Sequence, residues 1–102
     1  MISYRFDEER QFAFHYARQL EDSRTLSILE SGTVRNRDDA THLSRFFWRM
    51  VDASIADEKA GVELPWDENA EFWTEKLLYS FSGYLQQAGY EAAWDEVSEQ
   101  QP

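Results

Sequence analysis

Apolar residues recur at helical spacing along most of this chain and at strand spacing only near its start. Ile2, Tyr4 and Phe6 alternate with Ser3 and Arg5, the period-two pattern of a short strand. Asp7-Glu8-Glu9 then suits a helix start, with Asp7 as N-cap and the acids favoured by the helix dipole. Phe12, Ala13, Tyr16, Ala17 and Leu20 form one stripe at i, i+3/i+4 spacing. Phe14 falls off that stripe, and Phe12, Phe14 and Tyr16 also alternate with Ala13, His15 and Ala17. A strand stays open there, with helix preferred. Thr25-Leu26-Ser27-Ile28-Leu29 holds β-branched and hydroxyl residues that fill helices poorly. With Ser31-Gly32 and Thr33-Val34-Arg35 after it, the segment favours a hairpin over a short helix capped by Ser23 and closed by Gly32.

The second half is more regular. A helix capped by Asp38 or Asp39 carries Leu43, Phe46, Phe47, Met50, Val51 and Ser54, a stripe broad enough to face a core. Gly61 and Pro65 bound a loop. Asp67 is the expected cap of a helix that buries Trp73, Leu77, Phe81, Tyr84, Leu85 and Ala88. Gly89 fits the left-handed position that closes it, with Tyr90 packing back. A last helix, from Glu91 to about Glu99, offers Ala93, Trp94 and Val97. The expected fold is α+β and predominantly α: three to four amphipathic helices with a small N-terminal strand or hairpin, the alternative being an all-α bundle.

Composition narrows the class. With 102 residues the chain suits one domain, 1–99, followed by a frayed tail, 100–102. Seven Phe, five Tyr and four Trp supply a core, and the absence of Cys removes disulfides, thiolate zinc sites and cysteine nucleophiles. No apolar stretch is long enough to span a bilayer, and Met1–Phe6 lacks the build of a signal peptide, so a cytoplasmic location is expected.

The net charge of −10 is unevenly spread. Residues 1–51 hold eight arginines against eight acids, whereas residues 52–102 hold Lys59 and Lys76 against twelve acids. Such an anion repels nucleic acid and anionic membranes and speeds encounter with basic partners.

Catalytic groups are sparse. Asp39 and His42 could set two metal ligands on one helix face, but a site needs three or four, so no metal or other cofactor is expected. The four glycines form no phosphate loop, and Ser80 and Ser82 beside Gly83 lack the setting of a nucleophile elbow. The pairs Glu71/Glu75 and Glu91/Asp95 fall on polar faces, where carboxylates stay solvated. No enzyme is expected. Arg35, Arg37, Arg45 and Arg49 could touch phosphates, but neighbouring acids and the total charge oppose direct nucleic-acid binding.

The acids themselves make the sharper candidate. Glu68, Glu71 and Glu75 fall on one face of a helix, and Glu91, Asp95 and Glu99 on one face of the next. Carboxylates four residues apart rise about 6 Å along the axis, so two such helices give a ladder of anions sparser than duplex DNA. Trp66, between Pro65 and Asp67, is either a lid on the core, the preferred reading, or an interface anchor. The candidate partner-binding set is therefore Trp66, Asp67, Glu68, Glu71, Glu75, Glu91, Asp95 and Glu99, facing a basic protein or nucleoprotein complex; a homodimer is possible. In size, acidity and lack of cysteine and catalytic motifs the chain resembles small acidic inhibitors of phages and mobile elements, including anti-CRISPR proteins and DNA mimics, and also acidic immunity proteins and antitoxins. That resemblance implies a non-enzymatic inhibitor, and it covers no alignable stretch. The alternative is a structural or accessory subunit acting through homo-oligomerisation.

Overall fold

The computed structural model describes residues 7–101, and side chains from residue 10 onward. Five helices follow one another: α1 (Asp7–Gln19), α2 (Ser23–Ser31), α3 (Arg37–Lys59), α4 (Ala70–Gln87) and α5 (Glu91–Glu99). No strand occurs among the described residues. Over the described residues the fold is the all-α alternative; the strand expected at Ile2–Phe6 lies outside them, and Asp7 is the first residue of α1 rather than the cap before it.

The hairpin expected over residues 25–35 is a helix instead. Asp22, not Ser23, caps α2, its Oδ1 accepting from the Thr25 N–H at 3.0 Å. Thr25, Ile28 and Leu29 then fall on one face and are buried. Gly32, at φ 68°, ends the helix in the left-handed conformation. Burial of that face against α1 and α3 overrides the weak β preference of the hydroxyl-rich sequence. The segment after Gly32 is fixed to α4, where the Tyr84 hydroxyl accepts from the Val34 N–H at 2.8 Å.

α3 is the longest helix and packs against the other four. Its stripe of Leu43, Phe46, Phe47, Met50 and Ser54 is buried as expected, with Val51 only half-buried. The cap is Asn36 rather than Asp38 or Asp39: its Oδ1 accepts from the Asp39 N–H at 2.8 Å. In α4 the cap is Asn69, not Asp67, accepting from the Phe72 N–H at 2.9 Å. Trp73, Leu77, Phe81 and Leu85 are buried, but Tyr84 is intermediate and Ala88 exposed, so the buried face is narrower than expected. Gly89, at φ 89°, closes α4 through Tyr90 N–H···O=C Leu85 at 2.7 Å and Gly89 N–H···O=C Gln86 at 3.1 Å. This paired closure turns the chain sharply into α5. There Ala93, Trp94 and Val97 are buried as expected.

Phe47 ties three helices together, its ring centroid lying 5.8 Å from Phe81 of α4 and 5.3 Å from Trp94 of α5. Phe12 of α1 reaches Trp73 of α4 at 6.2 Å. The Tyr16 hydroxyl, pushed above its ordinary pKa first by burial and then by Asp57, donates to the Asp57 carboxylate at 3.0 Å and anchors α1 to α3.

The α1–α2 turn closes like α4, but with Glu21 at φ 54° where glycine usually stands. An L side chain in that region costs about 1–2 kcal/mol, while glycine there costs about 0.5–1 kcal/mol in chain entropy. Glu21→Gly is therefore expected to raise the unfolding free energy by about 0.5–1 kcal/mol, read by urea denaturation. A loss of stability would show that the Glu21 side chain makes a compensating contact.

Candidate functional site

A trough runs along the outer seam between α3 and α4. Trp48, Val51 and Ile55 follow one face of α3 at spacings of three and four residues, about 10 Å of rise. The first recess, about 380 Å³, is lined by Phe47, Trp48, Val51, Glu71, Thr74, Glu75 and Leu78. The next, about 350 Å³, is lined by Ile55, Glu58, Lys59, Ala70, Glu71 and Thr74. They meet at the shared residues Glu71 and Thr74. On the apolar floor Trp48, Val51 and Leu78 are half-buried and Ile55 is exposed, while Glu71 and Glu75 stand exposed one turn apart on the α4 wall.

The wall opposite α4 is held rigidly. The Trp48 indole stacks on Trp94 at 6.2 Å and 29°, and its Nε1–H donates to the Ser98 hydroxyl at 3.3 Å. At the far end, Glu58 accepts from the Ala70 N–H at 2.8 Å, so its carboxylate serves the start of α4. Among the described residues Lys59 is the one cation lining the trough.

The structure separates the expected site residues into three places. Glu71 and Glu75 line the trough. Trp66 is half-buried and packs on Phe12 at 5.1 Å and edge-on to His15 at 5.3 Å, the lid arrangement. Asp67 and Glu68 are exposed beside Trp66 at a different recess. Glu91, Asp95 and Glu99 are exposed on α5. None of these seven acids has an ion pair among the described residues. Asp57, Glu58 and Glu96, in contrast, are committed to Tyr16, the Ala70 N–H and Arg37.

The sequence reading overlooked Trp48, Val51, Leu78 and Ile55 as lining residues. Trp48 and Val51 lie on or beside the apolar stripe and pass for core, because periodicity marks a face without saying how much of it a neighbour covers. Asp39 and His42 do not converge as a ligand pair. Arg24 donates to Asp39 Oδ1 at 2.7 and 2.9 Å, while His42 Nε2 lies 2.7 Å from Asp22 Oδ1. No group of three or more His, Asp or Glu side chains among the described residues could hold a metal ion. Of the arginines considered for phosphate contact, Arg37 pairs with Glu96 at 2.8 Å and Arg49 lies 3.8 Å from Asp22. No described helix is long and apolar enough to cross a membrane.

No protein-family profile, curated protein or solved structure matches this chain. The trough's own chemistry is what bears on function.

Proposed function

We propose that this protein is a non-enzymatic binding protein that docks the acid-rimmed trough between α3 and α4 onto a basic amphipathic segment of a partner protein, blocking that segment's other contacts. The observation that carries this is the juxtaposition of exposed Glu71 and Glu75 with the half-buried apolar row Trp48, Val51 and Leu78. A helix presenting apolar residues at i, i+3/i+4 and i+7 between Lys or Arg residues fits such a surface. The apolar floor supplies affinity, and the carboxylates choose the sign of the partner. Glu91, Asp95 and Glu99, with Asp67 and Glu68, add to the field that draws a basic partner in. Nucleic acid is not the ligand, since the net charge of −10 opposes it. The partner is a basic protein or the basic protein surface of a nucleoprotein complex, an inhibitor's target.

A synthetic amphipathic helix of Lys and Leu at that spacing tests this. The Glu71→Lys/Glu75→Lys double variant should bind it about tenfold or more weakly at physiological salt, because each rim charge contributes on the order of 0.5–1 kcal/mol and reversal makes it repulsive. Triple reversal at Glu91, Asp95 and Glu99 should slow association and alter dissociation little. Equal binding by the double variant, or equal binding of a Lys/Ser peptide with no apolar row, would contradict the docking mode.

A second reading, self-association, rests on the exposed apolar side chains Tyr79 (69% exposed), Val62 and Ile55. It requires an oligomer that persists as salt rises, since apolar contacts are little weakened by screening. Sedimentation equilibrium across a salt series separates the two.

A further inference from the structure

We infer a second, independent binding site in the groove where α1 meets the Pro65-Trp66 loop, with a small aromatic oxyanion as its ligand. The groove encloses about 530 Å³, within the range of small-molecule sites. Arg10, Phe14 and Arg18 stand at i, i+4 and i+8 on α1 and share one face. Both guanidinium groups lie against the Phe14 ring, 5.1 Å (Arg10) and 5.4 Å (Arg18) from its centroid. That contact explains why Phe14, off the helical stripe, is nonetheless buried. Neither arginine has an ion pair among the described residues, unlike Arg24, Arg37 and Arg49.

Two further observations point to a ligand. His15, which lines the same groove, has its Nε2 buried with no hydrogen-bond partner. A buried polar atom of this kind is costly unless something satisfies it. Trp66 meets His15 edge-on and, with Pro65, gives the groove an apolar wall suited to an aromatic ring. Among the described residues Glu30 is the only acid lining the groove, against the two guanidinium groups of Arg10 and Arg18, in a molecule of −10. Guanidinium groups hold carboxylate or phosphate oxygens in paired hydrogen bonds; Arg10 and Arg18 would take the oxyanion and Trp66 the ring.

Phenyl phosphate is the probe, with inorganic phosphate and phenol as its separate halves. Calorimetry on the full chain should show saturable 1:1 binding of phenyl phosphate at least about tenfold tighter than either half. Arg10→Gln and Arg18→Gln should each weaken it by about tenfold, the loss of a charge-assisted hydrogen bond. Both arginines are exposed, so unchanged melting of each variant shows that the fold survives. The His15 ring resonances should shift on saturation, and Glu71→Lys/Glu75→Lys should bind the probe normally. Inorganic phosphate binding as well as phenyl phosphate, binding indifferent to both arginine variants, or no saturation at millimolar probe would each overturn the site.

Discussion

Phe47→Ala is expected to lower the unfolding free energy by about 3–5 kcal/mol, a large part of the roughly 5–15 kcal/mol that holds a domain of this size together. Phe47 is 2% exposed and sits where α3, α4 and α5 meet, in contact with Trp48, Phe81 and Trp94. Alanine would leave a void lined by three aromatic rings. These rings are held by separate helices and cannot all close the gap. Part of the loss would appear at the trough, since Phe47 also forms its floor. Urea denaturation followed by tryptophan fluorescence measures the change. A loss below about 1 kcal/mol would mean that the three helices do not depend on this residue.

Asp22→Ala is expected to cost about 2–3 kcal/mol at neutral pH, the sum of a lost N-cap and a lost hydrogen bond to a charged group. Asp22 closes the α1–α2 turn, caps α2 at Thr25, and meets His42 of α3 at 2.7 Å with Arg49 beyond at 3.8 Å. Its side chain thus joins α2 to α3, while its backbone N–H closes α1 on the Ala17 carbonyl. Burial alone would raise its pKa, but the Thr25 N–H and His42 outweigh that and hold it below the ordinary 3.8. Asp39 is lowered as well, first by the Arg24 hydrogen bonds and opposed by slight burial. The sign follows from linkage. A carboxylate more acidic in the folded state contributes fully above its unfolded pKa, and its contribution is lost as pH falls through the folded value. The wild-type protein should therefore lose stability as pH falls below about 4. Asp22→Asn keeps a good cap but no titrating group, so its stability should fall less over that range. Parallel acid-unfolding curves for the two proteins would contradict this assignment.

The legibility of the fold tracked the physics of each segment. Where burial is one-sided and local preference agrees with it, as in α3 and α5, the apolar stripe names both the helix and its buried face. Over Thr25–Leu29, local preference and tertiary burial disagree, and burial won because Asp22 supplied the cap and α3 the surface. The cap of α2 falls one residue before the expected Ser23, and the caps of α3 and α4 fall on Asn36 and Asn69 rather than on the nearby aspartates. Asn and Asp cap almost equally well, so residue type alone does not choose between them. The Asp22–His42 pair joins residues twenty apart and leaves no local signature.

The candidate site was legible in part. Glu71 and Glu75, one turn apart beside an apolar stripe, were visible as an acidic face. The trough they border was not, because it is formed by α3 side chains that α4 fails to cover. Trp66 stood out as a loop tryptophan, and its position over Phe12 and His15 matches the preferred lid reading. Phe14 broke the helical stripe, and the arginines one turn to either side were the available sign of the groove on α1.

The most direct test of the central claim is a residue-resolved NMR titration of the wild-type protein with the Lys/Leu amphipathic helix. The Trp48 indole N–H, bonded to Ser98, is a ready reporter inside the trough. The docking account predicts saturable shifts concentrated on Trp48, Val51, Glu71, Glu75 and Leu78, weakening as salt rises. Shifts spread evenly over the exposed acids of α5, or centred on Tyr79 and Val62, would contradict it and leave the negative charge as a solvated surface.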